Sequence, residues 1–546
     1  MDYEKLAELL YPQINKTPDY WEQKYPKRNL KEGAEVTRYA PSPTGYVHFG
    51  ALFTALINKK VASESSGIYF LRIEDTDKKR EVENGANFII NGLKAFDLTF
   101  DESVVAGGEY GPYIQSERIE IYQTYAKDLV RKGLAYPCFC SHEEIDAIRS
   151  EQEKNKINMG YYGKYAKCRN LSYEEIESNI KQGKSFVLRF KCPYTAEQKV
   201  KTYDYVRGER EIPQNENDAV IIKSNGLPPY NFAHAIDDHL MGTTFVIRGD
   251  EWLPSLAEHL QLFEALGFKA PKYAHISPIQ KLDNGNRRKI SKRKDPEADV
   301  EFFYKKGYPI ESLTEYLLTL ANSNFETWRL QNPKADVNEF KFSIKNLSPS
   351  GSLFDIVKLN DISKNVISNF TAKQVFDNCL TWAEKYDEKF AGLLKENKDY
   401  CINLFNIDRE IAKPRKDISH WEEVLPIYSY MFDEFYNAGE VVFPEQFNKE
   451  DVKAVLSKYG DIYDEADEQS EWFDRIKDLA EQIGFAREVK MFKQNPEQFR
   501  GHCGDVSTII RVALTGRTQT PNLYDICKLL GKNKIKERFE NILKVF

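Results

Sequence analysis

The stretch Val36–Ala55, VTRYAPSPTGYVHFGALFTA, constrains the fold more than any other part of the chain. A short branched and aromatic run, Val36–Ala40, suits a strand. The turn-rich PSPTG follows, and then Phe49, Leu52, Phe53, Leu56 and Ile57 recur at helical spacing. Gly67 opens IYFLRIE, a second run of the buried-strand kind. Strand, helix with one apolar face, then strand predicts a right-handed parallel crossover packed on a sheet. Ligands of such sheets gather at the carboxyl ends of the strands, where Glu74, Asp75 and Asp77 of RIEDTD fall.

The rest of the chain is organised around that unit. A length of 546 residues exceeds what one compact core holds and predicts two to four domains. Residues 1–35 read as a polar, aromatic-sprinkled leader with no chemical motif. From about Ile119 the pattern turns helical, then to a cysteine-bearing segment and the strand-like SFVLRFKCP, as expected of an insertion. A second α/β stretch resumes near Ala219, and from about Lys305 amphipathic helix dominates. No apolar run reaches ~18 residues, so no membrane span is expected. The start lacks the basic flank and apolar core of a signal peptide, and eight cysteines in such a long chain do not form a disulfide framework. A cytoplasmic protein is the expectation. The net charge of −7 excludes a broadly basic nucleic-acid coat but leaves room for a local basic face.

Chemistry concentrates in two places. His48-Phe49-Gly50 lies at the predicted helix start, where free N–H groups and the helix dipole favour phosphate. Gly50 has no side chain to keep a nucleotide from the backbone. RRKISKRK, Arg287 to Lys294, supplies a basic cluster expected on a loop. Taken singly, the histidine reads as a cap and the basic run as a solvated or nucleic-acid-binding face. Together, with RIEDTD between them, they read as a site for cleaving ATP at its α-phosphorus. His48 would donate to a phosphate oxygen, and Lys289 and Lys292 would hold the departing pyrophosphate. Magnesium commonly bridges phosphate oxygens in such a step.

These motifs carry a family resemblance. PSPTGYVHFG resembles the HIGH-type signature of class I aminoacyl-tRNA synthetases, and KISKR, Lys289 to Arg293, their KMSKS motif. TRYAPSPTG, RIEDTD, QSERIEIY, DDHLMG, VIRGDEW and KISKR stand in the order of the glutamyl-tRNA synthetase family, strongly over Val36 to Leu359. RVALTGRTQTPNLYDICKLLG resembles the helical anticodon-binding part of the bacterial members. The resemblance implies a Rossmann-like α/β catalytic domain carrying an inserted acceptor-binding domain, followed by an all-α anticodon-binding region. It also implies a two-step reaction through glutamyl-adenylate, with tRNA usually bound before activation. The partners implied are tRNA(Glu), L-glutamate and ATP with magnesium, no membrane, and a monomer. Two alternatives stand beside it: an enzyme that also charges tRNA(Gln), and an adenylyl-transferring relative that uses no tRNA.

Carried over by position, the resemblance assigns catalysis to His48, Gly50, Lys289 and Lys292 and ATP to Thr44, His48, Gly50, Lys289, Ser291, Lys292 and Arg293. It assigns glutamate to Arg38, Ser42, Glu74, Tyr230, His234 and Arg248. Arg248 presents a planar fork that fits a carboxylate at two points, and Glu74 an acceptor for an ammonium. An internal salt bridge is the plainer reading of either residue alone. Two positions depart from the family. His234 stands where bacterial members often have asparagine or an apolar residue, and Ala51 where many class I enzymes have histidine. The expected segments are 1–35, an extension; 36–118 and 219–285, the catalytic halves; 119–218, the insertion; 286–366, a stem-contact region; and 367–546, the anticodon-binding helices. Cys138, Cys140 and Cys168 resemble a zinc site of part of the family, one ligand short of four. Asn170 takes the place of a histidine used by some members, and the phenols Tyr161, Tyr162 and Tyr165 lie near, Tyr165 being the expected fourth ligand. The carboxy-terminal Arg511, Arg517, Lys528, Lys532, Lys534 and Lys536 read mostly as a solvated helix face.

Overall fold

The computed structural model describes residues 1–43, 47–77, 82 and 84–545. It divides into two compact units, Met1–Phe302 with Thr314–Asp355, and Phe303–Leu313 with Ile356–Phe546.

The first unit contains the predicted crossover. Strands Val36–Tyr39 and Ile68–Leu71 pair in parallel, Val36 opposite Ile68 and Tyr39 opposite Leu71, with helix Phe49–Glu64 between them in sequence. Phe49, Leu52, Phe53, Leu56 and Ile57 form its buried face. Gly67 is required where the second strand begins: a Cβ there would stand 1.8 Å from the carbonyl oxygen of Glu35. A four-stranded sheet runs Gly208–Pro213, Lys199–Asp204, Lys272–Ile276, Phe245–Gly249. Its last two strands are parallel, and Arg248 lies opposite His275. The amide of Thr244 donates to the carbonyl of Val36 at 3.0 Å, and the Val36 amide to Thr244 Oγ1 at 2.8 Å, tying this sheet to the crossover. Three antiparallel strands, Ala135–Cys138, Val187–Phe190 and Val220–Ile222, form a further sheet.

Two expectations change here. Residues 1–35 do not read as a polar leader in three dimensions. Helices Tyr3–Leu10 and Pro18–Lys24 bury Leu6, Ala7, Leu10 and Trp21 in a core shared with helix Ile119–Arg131. The apolar residues are too few to form a core alone, but they cover the exposed face of a neighbour. The basic run is not wholly loop either. Arg287–Lys289 belong to strand Asn286–Lys289, which forms an antiparallel hairpin with Gln280–Asp283.

The second unit has no strand among the described residues. Long helices, including Ala372–Tyr386, Lys449–Ile462, Gln469–Gln482 and Cys503–Thr515, enclose a core of Val375, Phe376, Val455, Trp472, Ile509 and Ile526. Helix Cys503–Thr515 stops at Gly516, whose φ of 67° provides the left-handed cap. Arg517 donates to the Ile427 carbonyl in helix Val424–Tyr428 and Arg511 to that of Pro521, so these two cations of the basic set are engaged with backbone. No helix among the described residues is long and apolar enough to cross a membrane.

Candidate active site

One cavity of about 400 Å³ in the first unit collects most of the expected site residues. Arg38, Ser42, His48, Gly50, Glu74, Tyr230, Arg248 and Lys289 line it, with Trp252, Glu251 and Ile290. Thr44 lies outside the described residues. Ser291, Lys292 and Arg293 form the turn after Lys289 and are not part of the wall.

At one end of the cavity, His48 is the N-cap of helix Phe49–Glu64, and its Nδ1 accepts from the Gly50 amide at 2.9 Å. With Nδ1 used as acceptor, the neutral ring carries its proton on Nε2, free to donate. Gly50 lets the ring sit close, since a Cβ there would stand 3.2 Å from Nδ1 and the imidazole would have to shift slightly. Burial, then Lys292 and Lys289, push the His48 pKa down, so the imidazole is neutral near pH 7. The same charges show that the two distant motifs meet. Lys292 Nζ lies 3.5 Å from Asp299 Oδ2, and His48 forms a backbone bridge with Asp299. Arg288 is committed elsewhere: Asp295 takes Nη1 and Nη2 at 2.6 and 2.8 Å, and Asp283 takes Nε at 2.7 Å.

At the other end, Glu74 follows strand Ile68–Leu71 and is 6% exposed. Arg72 bonds its Oε1 through Nη2 at 2.9 Å and Nε at 3.3 Å, leaving Oε2 for another donor. Burial pushes Glu74 up to about 7, with Arg72 and Arg38 pulling it back. Arg38 bonds Asp238 through Nε, and its buried Nη2 has no hydrogen-bond partner among the described residues. Tyr230 opens helix Tyr230–Leu240 and packs against Trp252, with ring centroids 4.1 Å apart and the planes tilted by 34°. Its hydroxyl accepts from Arg248 Nη1 at 3.4 Å.

His234 is not in the cavity wall. It is fully buried one turn behind Tyr230, its ring parallel to the tyrosine at 5.4 Å. Its Nδ1 meets Asp238 Oδ2 at 2.5 Å and its Nε2 the Tyr273 hydroxyl at 3.3 Å. It backs the tyrosine, because positions four apart on a helix share a face and the deeper one is covered. Sequence reasoning missed His259 and His275, buried beside Arg248, and Asp204, buried behind His275. The available signal was that four of the chain's eight histidines fall between residues 234 and 275, a clustering that marks one neighbourhood.

A second constellation lies in the three-stranded sheet. The sulfurs of Cys138, Cys140 and Cys168 lie within 4.8 Å of one another, and Cys140 and Cys168 are 3.7 Å apart. Thiolates held tetrahedrally at ~2.3 Å from one zinc lie about 3.8 Å apart, so the spacing fits that ion. The phenol beside the sulfurs is that of Tyr161, 3.3 Å from Cys140 Sγ, rather than that of Tyr165. The Tyr165 hydroxyl donates to Glu151 at 3.1 Å, pointing its oxygen at a helix and not at the thiols. Hydrogen bonding from Cys168 outweighs burial and holds Cys138 down at about 4.

The family described as tRNA synthetases class I (E and Q), catalytic domain, matches residues 35–361, and an anticodon binding domain matches 389–543. Glutamate–tRNA ligase of Acetivibrio thermocellus is 46% identical over the full length of both chains, and that of Clostridium perfringens SM101 is 47% identical, again over both full lengths. A crystal structure of a glutamate tRNA ligase from Elizabethkingia meningosepticum, in complex with its amino acid, aligns with a TM-score of 0.75 at 25% identity. That alignment covers 94% of this chain and 99% of the other. With a catalytic-domain match over more than half its length and full-length relatives well above 30% identity, the chain belongs to the glutamate–tRNA ligase family of class I synthetases.

Proposed function

We propose that the protein joins glutamate to tRNA(Glu) in two steps at this cavity. The α-carboxylate oxygen of glutamate attacks the α-phosphorus of ATP, and the bond to the bridging oxygen breaks to release pyrophosphate. A hydroxyl of the terminal ribose of tRNA then attacks the acyl carbon, and AMP leaves. Arg248 pairs with the side-chain carboxylate and Glu74, through Oε2, with the α-ammonium. The ammonium supplies the positive charge that draws Glu74 down from about 7 to its ionised form. His48 Nε2–H donates to the phosphate where charge accumulates, and Lys289 and Lys292 attend the pyrophosphate. Magnesium brought with ATP would supply charge that neutralises the phosphate oxygens.

One observation carries this reading: His48 and Gly50, Lys289, and the Arg248–Glu74–Tyr230 group line a single cavity. The deciding experiment is aminoacylation with purified tRNA(Glu) and tRNA(Gln) in separate reactions. Charging of tRNA(Glu) with glutamate, dependent on ATP and magnesium, is expected. No product with either RNA sinks the proposal, and product with both identifies an enzyme that does not discriminate. Adenylate formed with no RNA present favours a relative that works without tRNA.

We further read 36–118 and 219–285 as the catalytic halves, 119–218 as the acceptor-end insertion, 286–366 as the stem-contact region and 367–546 as the anticodon reader. We assign residues 1–35 to the catalytic core, on the burial of Leu6, Leu10 and Trp21. Cys138, Cys140, Cys168 and Tyr161 would hold zinc, which there supplies a crosslink of the insertion. Metal analysis of the purified chain should find about one zinc per chain. We expect a cytoplasmic monomer, and light scattering of the purified protein tests the second part.

A further inference from the structure

Arg248 is 5% exposed, and no carboxylate among the described residues pairs with it. Its hydrogen bonds go to two imidazoles and a phenol. Nε donates to His275 Nε2 at 3.0 Å, Nη2 to His259 Nδ1 at 2.9 Å, and Nη1 to the Tyr230 hydroxyl at 3.4 Å. Trp252 and Tyr273 flank the guanidinium, with centroids at 5.7 and 5.1 Å.

Each imidazole is locked into the tautomer that leaves a lone pair facing the arginine. Asp204 Oδ1 accepts from the amides of Val206 and Arg207, both at 2.9 Å, and Oδ2 from the His275 amide at 3.0 Å. A carboxylate surrounded by donors is ionised and accepts only, so His275 Nδ1, 2.7 Å from Oδ2, carries the ring proton. On the other side Asn231 Nδ2 donates to Glu258 at 2.7 Å, which turns Asn231 Oδ1 toward His259 Nε2 at 2.8 Å. That nitrogen therefore donates, and Nδ1 is left to accept from Arg248. Burial and the Arg248 charge push both histidines down, His259 strongly, which agrees with neutral rings.

We propose that His259 and His275 are positioning residues that set amino-acid specificity, holding Arg248 by neutral acceptors so that its charge stays available for the side-chain carboxylate. The inference rests on the reading of glutamate as substrate. An aspartate or glutamate in either place would orient the guanidinium equally well, but would also neutralise it before the substrate arrived. A neutral acceptor satisfies the N–H groups without charge. The pocket then lacks one negative charge, which glutamate provides and glutamine does not. A carboxamide would leave a buried cation unpaired and set its own N–H groups against those of Arg248.

The test uses the full chain and steady-state aminoacylation, reading KM for glutamate, KM for ATP and the preference for glutamate over glutamine. His275→Glu is expected to raise the glutamate KM by ~30-fold or more and to erode the preference, with the ATP KM within about twofold. His275→Gln, which keeps an acceptor near the Nε2 position, should stay within about threefold of the wild type on all three readings. An unchanged glutamate KM in His275→Glu, or an equal rise in both KM values, overturns the proposal. If that variant does not fold, His259→Asp brings the carboxylate from the other side with the same expectations. Nitrogen NMR of histidine-labelled wild-type protein gives a reading that needs no variant. It should report His275 protonated at Nδ1 alone and His259 at Nε2 alone, and a doubly protonated ring in either place overturns the proposal. A wild-type protein that charges no tRNA with glutamate would instead defeat the functional reading, while the NMR result still judged the tautomers.

Discussion

Buried arginines occur in two settings within the first unit, and they are treated in opposite ways. At and behind one part of the cavity wall, Arg38, Arg72 and Arg118 meet Glu74, Asp237 and Asp238. Arg72 bonds Asp238 at 2.7 Å, Arg118 bonds Asp237 at 2.7 Å, and Arg38 reaches Asp238 at 3.2 Å. At the cavity wall Arg248 has two histidines and a tyrosine and no acid among the described residues. In the first set each arginine has an acidic partner, and the contacts to Asp237 and Asp238 hold helix Tyr230–Leu240 in place. The second is satisfied in hydrogen bonds and left unbalanced in charge. A buried cation of the first kind has its counter-charge within the fold; one of the second kind, on the reading proposed above, awaits it from a ligand.

The largest effect should come from breaking the balanced set. Asp238→Ala leaves Arg38 and Arg72 without their shared partner, and a loss of ~3–5 kcal/mol is expected in urea unfolding. A loss below ~1 kcal/mol would mean the network is dispensable and the contrast is false. Arg248→Ala should do the reverse. We expect kcat/KM for glutamate to fall by the equivalent of ~2–4 kcal/mol, with the ATP KM nearly unchanged and stability lowered by ~1 kcal/mol or less. A variant that unfolds as readily as Asp238→Ala would put Arg248 in the scaffold.

A smaller effect links the two sets through His234, which touches Asp238 on one side and Tyr230 on the other. Burial holds its pKa at about 4 despite Asp238, against 6.5 for a free histidine. The unfolded chain therefore takes up this proton first as pH falls. The stability that the neutral ring contributes is complete above about pH 6.5 and is lost on descending toward 4. Relative to His234→Asn, the wild type should lose about 1.4 kcal/mol per pH unit across that window in urea titrations. Parallel curves for the two proteins would show that His234 already titrates normally. The smallest effect belongs to Tyr230→Phe. Its hydroxyl accepts from Arg248 at a long 3.4 Å, and removing it should change glutamate kcat/KM by ~1 kcal/mol or less. A larger change would make the phenol, not the imidazoles, the main support of the arginine.

Much of the site was legible because its signals are local. His48 at a helix start, Gly50 two residues on and Glu74 beyond a strand are each defined by neighbours in the chain. The helical second unit was legible for the same reason, since helical periodicity is written over a few turns. Three things were not local. His234 follows Tyr230 by one turn, and only packing decided that the tyrosine takes the cavity and the histidine the core. Among the nearby phenols, Tyr161 reaches the thiols and Tyr165 is held by Glu151. The opening 35 residues carry no chemical motif that places them, yet the fold buries Leu6, Leu10 and Trp21.

The sequence by itself determined the crossover and the His48-Phe49-Gly50 helix start, because those are set by residue type and short spacing; it singled out Arg248 only through the family resemblance. The tertiary structure alone decided what surrounds that arginine. Asp204, Asn231, Arg248, His259 and His275 come from separate strands and helices, and they meet only because strand Lys272–Ile276 lies in register beside Phe245–Gly249, His275 opposite Arg248. Which imidazole nitrogen keeps its proton, and so which one accepts from Arg248, follows from hydrogen bonds across up to 71 residues of chain. Side-chain protonation of that kind depends on neighbours brought together by the sheet, and no short spacing encodes it.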